Sequence, residues 1–228
     1  MRFTRRYFTL LFAAFLLSSC SMVPGLFSSA QNEFDAGLVL FNNGRYQEAA
    51  ARFQKATELD PNFGRAYLYL GRSYVSLKSW RQAIDPLRTA LRLVPDDTRA
   101  EVLSILVDAL FGVGLDAFKS GDFLSAIGIL REILTLQPTA EKARSELVNA
   151  LVAHGGALLS GGSVAQAISE YTEAVKLAPG SFDALFGLAK AFFKNGEFFK
   201  ALQTAEDAVR FRPTNRDLQS LLQELRRK

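Results

Sequence analysis

The chain has 228 residues, 49% hydrophobic and 22% charged, proportions of a folded soluble protein that exclude both a disordered chain and a multi-span membrane protein. One cysteine and one histidine exclude an internal disulfide framework and leave any metal centre short of ligands, so no cofactor or metal is expected. The formal charge of +4 owes three units to Arg2, Arg5 and Arg6; without them 24 basic side chains stand against 23 acidic ones, a balance that offers no basic face for nucleic acid.

Residues 1–19 have the plan of an export signal: three arginines and no acid up to Tyr7, then an apolar run from Phe8 to Leu17 broken only by Thr9. Ten residues rise about 15 Å as a helix, roughly half of the ~30 Å needed to cross a bilayer. Leu17-Ser18-Ser19-Cys20 resembles the lipobox of bacterial lipoproteins. That resemblance implies cleavage before Cys20 and acylation of its sulfur and amine, palmitate being the expected modification; the alternative is a cysteine beside an ordinary cleavage site. Two or more acyl chains, at ~0.8 kcal/mol per buried methylene, anchor a protein stably where one does not. Ser21 stands where an aspartate in that family often marks inner-membrane retention, so the implied location is the outer membrane, facing the periplasm. Thr4-Arg5-Arg6-Tyr7-Phe8 also resembles a twin-arginine motif, although the Leu- and Phe-rich run favours the general secretory route. Residues 20–29, with Pro24 and Gly25 and no charge, read as a tether between lipid and folded body.

From Ala30 onward a phrase recurs five times: Gly, then an aromatic or apolar residue, Ala, a further apolar residue, a small residue and Pro. The first copy has Gly44, Tyr46, Ala49, Phe53, Ala56 and Pro61, and the second Trp80, Ala83, Leu87, Ala90 and Pro95. Gly121, Phe123, Ala126, Leu130 and Pro138 make the third; Gly162, Val164, Ala167, Tyr171, Ala174 and Pro179 the fourth; Gly196, Phe198, Ala201, Ala208 and Pro213 the fifth. Successive prolines lie 34, 43, 41 and 34 residues apart. Before each phrase stands a helical pattern with a small residue at its centre, at Gly37, Gly71, Gly114, Gly155 and Ala189. Small residues at a crossing let two antiparallel helices approach to the close end of the ~8–10 Å range, and each proline ends a second helix. Ile133, in place of a small residue, and Ala205, in place of a bulky one, depart from the pattern.

These residues resemble the tetratricopeptide repeat, a helix-turn-helix unit. The resemblance implies an all-α, right-handed superhelical solenoid with repeats at 30–63, 64–97, 98–140, 141–181 and 182–215, closed by a capping helix over 216–228. Leu218, Leu221, Leu222 and Leu225 form the stripe such a cap needs, with Arg226, Arg227 and Lys228 placed in its last turn. A basic patch for anionic headgroups is the alternative reading of those three cations. The extra residues of the second and third intervals contain no Pro or Gly, so they should lengthen the first helices of copies three and four to about twenty residues. Those helices either pack on each other or build a projecting ledge.

In the family the first helix of each repeat lines a concave surface that holds a peptide. Carried onto this chain, that surface comprises Phe34, Leu38 and Phe41; Leu68, Tyr69 and Arg72; Phe111, Leu115 and Phe118; and Phe186, Lys190, Phe193 and Lys194. Large apolar side chains where a solvated face would be polar mark an interaction site, unless the register is shifted and the rings are core. The family's carboxylate clamp is not matched, because Phe34, Leu38, Tyr69 and Asp108 stand at the positions of its Lys and Asn. His154 has no cysteine nucleophile to serve and reads as a core residue, and no G-x-S-x-G elbow is present, so an enzyme is not expected. The expectation is a non-enzymatic scaffold or adaptor lipoprotein that holds envelope proteins or peptides. Self-association through the groove or the long helices is the alternative, with the oligomeric state left open.

Overall fold

The computed structural model describes residues 29–228; the leader, Cys20 and the tether as far as residue 28 lie outside them. Among the described residues there are eleven helices and no strand. They form five hairpins: α1 (Ala30–Asn42) with α2 (Tyr46–Leu59), α3 (Gly64–Ser76) with α4 (Trp80–Leu93), α5 (Asp96–Lys119) with α6 (Phe123–Leu136), α7 (Glu141–Ser160) with α8 (Val164–Leu177), and α9 (Phe182–Lys194) with α10 (Phe198–Val209). A last helix, α11 (Arg216–Leu225), buries all four leucines of its stripe against the fifth hairpin. The helix stops at Leu225, so Arg226, Arg227 and Lys228 follow it rather than lie in its last turn.

The close crossings fall where the small residues stand. A Cβ on Gly37 would lie 2.6 Å from the Phe53 ring, one on Gly71 2.5 Å from Leu87, and one on Gly155 3.0 Å from Tyr171. Ala49, Ala83, Ala126, Ala167 and Ala201 are all fully buried. At the departure Ala205 the fifth hairpin sets Ala189 against a second alanine, where the other hairpins set glycine against Phe, Leu or Tyr, and both alanines are fully buried in one cluster.

Every hairpin turns in the same way. The first helix ends in a paired closure in which Gly44 donates its N–H to the Phe41 carbonyl and Arg45 donates to Leu40. The same pair recurs as Lys78 to Val75 with Ser79 to Tyr74, Gly121 to Phe118 with Asp122 to Ala117, Gly162 to Leu159 with Ser163 to Leu158, and Gly196 to Phe193 with Glu197 to Phe192. This motif needs a left-handed residue. Gly44, Gly121, Gly162 and Gly196 supply it at φ of 75 to 84°, while Lys78 adopts φ 56° at the same place. The second copy's missing glycine is therefore a strained lysine in an unchanged turn.

The lengthened helices are α5, with 24 residues, and α7, with 20. Their added turns bury Val102, Leu106, Ala143 and Leu147 in the largest core cluster, so these turns extend the core instead of standing free as a ledge. Pro86 lies inside α4, where its missing N–H removes one rung of the helix without ending it. First helices meet across hairpin boundaries, α1 with α3, α3 with α5 and α7 with α9, whereas second helices have no comparable contact with one another. The array therefore curves with the first helices on the inside. On the outside, Arg88 reaches Glu132 at 2.6 Å and Arg131 reaches Glu173 at 2.5 Å, tying α4 to α6 and α6 to α8; as exposed pairs they contribute little, about 0–1 kcal/mol each.

Lys78→Gly should raise stability by about 1 kcal/mol, because a side chain in the left-handed region costs roughly 1–2 kcal/mol. Urea unfolding of the variant beside wild type measures it, and an unchanged or lower midpoint would contradict the assignment of strain to that turn.

Candidate functional site: the concave wall

The inner wall is built from α1, α3, α5, α7 and α9, and the structure divides the thirteen sequence-predicted residues into three groups. Phe34 and Leu68 are core, 1% and 3% exposed, which corrects their expected place on an open surface. The physical reason is the crowding of Phe34 by Phe53, Phe63 and Tyr69, with ring centroids at 5.6, 4.9 and 5.6 Å. Leu38, Phe41, Tyr69, Arg72, Phe111, Leu115, Phe118, Phe186 and Phe193 are half-buried. Lys190 and Lys194 are exposed.

Three of the half-buried rings have a structural partner within their own hairpin. Phe41 meets Tyr46 at 5.2 Å, Phe118 meets Phe123 at 5.7 Å and Phe193 meets Phe198 at 5.6 Å, always five residues apart across the turn. An edge-on or tilted aromatic pair is worth about 0.5–1.5 kcal/mol beyond its buried area. These pairs clasp the first, third and fifth hairpins beside their turns and leave only part of each ring for a ligand.

Four of the six half-buried wall rings, Phe41, Tyr69, Phe111 and Phe186, are roofed by cations. The Arg72 guanidinium lies 5.5 Å from the Phe41 centroid and 5.0 Å from Tyr69, and is held there by Glu101 of α5 at 3.1 Å. Lys142 of α7 stands 4.6 Å from the centroid of Phe111 on α5, and Lys190 4.6 Å from Phe186, which itself stacks on Phe182 at 5.5 Å. Lys194 donates to the Leu159 carbonyl at the end of α7. A cation over a ring face is attracted by about 0.5–1 kcal/mol at an exposed site, little enough for an incoming group to displace it. Sequence inspection missed Lys142 and Glu101. Both stand in the added turns of α5 and α7, and which ring or cation they would meet depends on the register between hairpins, to which no repeat position points.

The wall has one interruption. α5 and α7 make no contact comparable to those between the other neighbouring first helices of the array, and Phe111 with its Lys142 roof stands at that junction. Ile133, where the other copies place alanine, is fully buried in α6 within the largest core cluster.

Nothing in the wall resembles a reaction centre. The displaced ionisations belong to the hairpin turns and the core. Glu48 is lowered by its hydrogen bond from Arg45, Asp122 by its contacts with Ser125 and Glu197 by Lys200, while burial raises the Tyr171 phenol. His154 on α7 is half-buried beside the Glu170 carboxylate of α8, its Nδ1 3.4 Å from Oε1, and neither His154 Nδ1 nor Glu170 Oε2 has a hydrogen-bond partner. The carboxylate beside it was not evident in sequence; the pair lines a surface cavity with Leu124, Leu158, Gln166 and Ser169, none of which is among the predicted wall residues. Among the described residues no cluster of His, Cys, Asp and Glu has the makings of a metal site, and no helix is long and apolar enough to cross a membrane.

Comparison with known proteins agrees with this architecture. A tetratricopeptide repeat model matches residues 34–98 and 111–181, and a second such model matches 158–225. The chain belongs to the tetratricopeptide repeat family, whose arrays serve as protein-interaction scaffolds. A TPR repeats protein of Bacteroides fragilis shares the fold, with a TM-score of 0.62 at 16% identity over 88% of this chain and 99% of that one. The peroxisomal targeting signal receptor of Candida albicans is 28% identical over 191 residues, 80% of this chain and 30% of that protein. Anaphase-promoting complex subunit 6 of Arabidopsis thaliana is 34% identical over 79 residues, 35% of this chain and 14% of that protein. The chain thus spans less than a third of the length of these curated relatives.

If the His154–Glu170 pair is structural, replacing both with leucine should leave stability unchanged or raise it by about 1 kcal/mol, since the orphaned atoms then disappear together. A loss above about 2 kcal/mol on urea unfolding would contradict that reading.

Proposed function

We propose that this protein is a lipid-anchored scaffold that holds an envelope partner in its concave wall, without catalysis, at the periplasmic face of the outer membrane. The observation that carries the binding half of the reading is the Phe111–Lys142 and Phe186–Lys190 arrangement, half-buried rings roofed by cations on an inner wall. A partner peptide that lays an apolar side chain on either ring displaces a cation held by about 1 kcal/mol and gains about 25 cal/mol for each Å² of apolar surface removed from water. The displaced ammonium then meets backbone carbonyls or acidic groups of the same peptide. Two relatives are named for receptor or complex-forming roles, a targeting-signal receptor and a subunit of a multiprotein complex, which is the kind of use an array of this design supports.

Anchoring rests on sequence: a basic start, ten largely apolar residues, and a lone cysteine after Leu17-Ser18-Ser19. Acyl chains on Cys20 fix the folded body to the membrane through a tether of about ten residues, and Ser21 supports the outer membrane as the destination.

Crosslinking in the native envelope tests the wall. Phe111→Ala and Phe186→Ala should each lower the yield of partner captured by wild type by about tenfold, with the helical melting curve retained; equal yields from all three proteins would overturn the reading. Cys20→Ala should move the protein from the membrane to the soluble fraction, and unchanged membrane recovery would contradict the anchor.

A further inference from the structure

Phe199 has the greatest exposure of the large apolar side chains among the described residues, 81%, and its neighbour Phe198 is 37% exposed. Both open α10, directly after the turn at Gly196, on the edge of the array where the hairpins close. α11 runs back beside α10 and returns the chain to that same edge, where the Lys228 ammonium lies 5.7 Å from the Phe198 centroid. Arg226 and Arg227 are exposed next to it. Lys200, one residue past the protruding ring, holds Glu197 and reaches 5.4 Å from the Phe192 centroid. The acids in these two segments are Glu197, already paired, and Glu224.

We propose that this end of the array, Phe198-Phe199-Lys200 with Arg226-Arg227-Lys228, docks on an anionic lipid surface. The charge and the shape favour that occupant over a protein. A phenyl ring standing clear of its surroundings has no groove beside it to help seat a partner side chain, whereas it can enter the headgroup region of a bilayer without one. Cations on the same edge, with Lys228 against the neighbouring Phe198 ring, meet lipid phosphates, and an exposed apolar side chain with cations nearby is the composition of an interfacial contact. Each cation held at an anionic leaflet favours binding by roughly fivefold, and burial of one phenyl ring by on the order of thirtyfold. The patch contains no part of the concave wall, so docking leaves that wall free. A membrane being at hand rests on the anchoring proposed above, but the contact itself uses only folded residues.

The test uses the full chain on vesicles whose lipids carry brominated acyl chains, with Phe199→Trp compared against wild type, in which Trp80 is the sole tryptophan. On vesicles containing phosphatidylglycerol the variant should show bromine quenching beyond the Trp80 background. That excess should fade in pure phosphatidylcholine and in high salt. Arg226→Glu, Arg227→Glu and Lys228→Glu together should weaken it by about a hundredfold in lipid concentration. Vesicles that carry the protein without excess quenching overturn the proposal. So does quenching indifferent to anionic lipid and to the three substitutions. A mass that rises with concentration and is returned to monomer by Phe199→Ser, without quenching, assigns the ring to a second copy and overturns it as well. Flotation of Cys20→Ala reads the anchor separately, so failure of the anchor and failure of the patch give different results.

Discussion

Three of the five hairpins rest on one steric constraint, a first helix that meets its partner at a residue with no room for a Cβ, while Gly114 in the third hairpin would accept one at ordinary contact distance. Gly37, Gly71 and Gly155 allow that approach, and the facing Phe53, Leu87 and Tyr171 fill the volume that the missing Cβ leaves. The fifth hairpin places two alanines there, Ala189 and Ala205, both fully buried, so a small residue on the first helix is kept while the large one facing it is not. With the crossings fixed, each hairpin docks its second helix on the first helix of the next; first helices also touch one another where second helices make no comparable contact, so the array bends toward them and the inner wall follows. Each unit buries its apolar face only by stacking on the next, so stability passes along the array as nearest-neighbour contacts.

The same constraint explains why the inner wall is half-sealed and not open. Hairpins that approach closely bring the ring at the end of the first helix against the ring that starts the second, and Phe41, Phe118 and Phe193 are drawn into those clasps. Phe34 goes further and becomes core, since Phe53 of α2, Phe63 of the turn before α3 and Tyr69 of α3 all press on it. What remains for recognition is concentrated at Phe111 and Phe186, each with a lysine across its face. Binding there is an exchange of a weakly held cation for an apolar group, which suits a scaffold whose partners must be released.

Repeat number, hairpin order and the capping helix were legible in the sequence because each rests on local spacing: a small residue, an aromatic start, an alanine and a proline at fixed offsets. The long α5 and α7 were legible for the same reason, as insertions free of helix breakers. The state of the wall was not. Whether Phe34 or Phe111 faces solvent depends on how one hairpin packs against the next, which the spacing within a repeat does not state. Lys142 and Glu101 escaped notice because their partners lie in other hairpins. The turn at Lys78 shows the converse: the sequence loses its glycine, yet the hydrogen-bonded closure persists and the backbone accepts the strain.

The central claim, that a partner lies along the first helices, is tested most directly by placing a photo-crosslinking amino acid at single positions of the full chain in its native envelope. Position 111 on the inner wall should capture a discrete protein adduct, while position 88 on the outer face, where Arg88 pairs with Glu132, should capture none. Equal adducts from both positions, or an adduct from position 88 alone, would contradict the account.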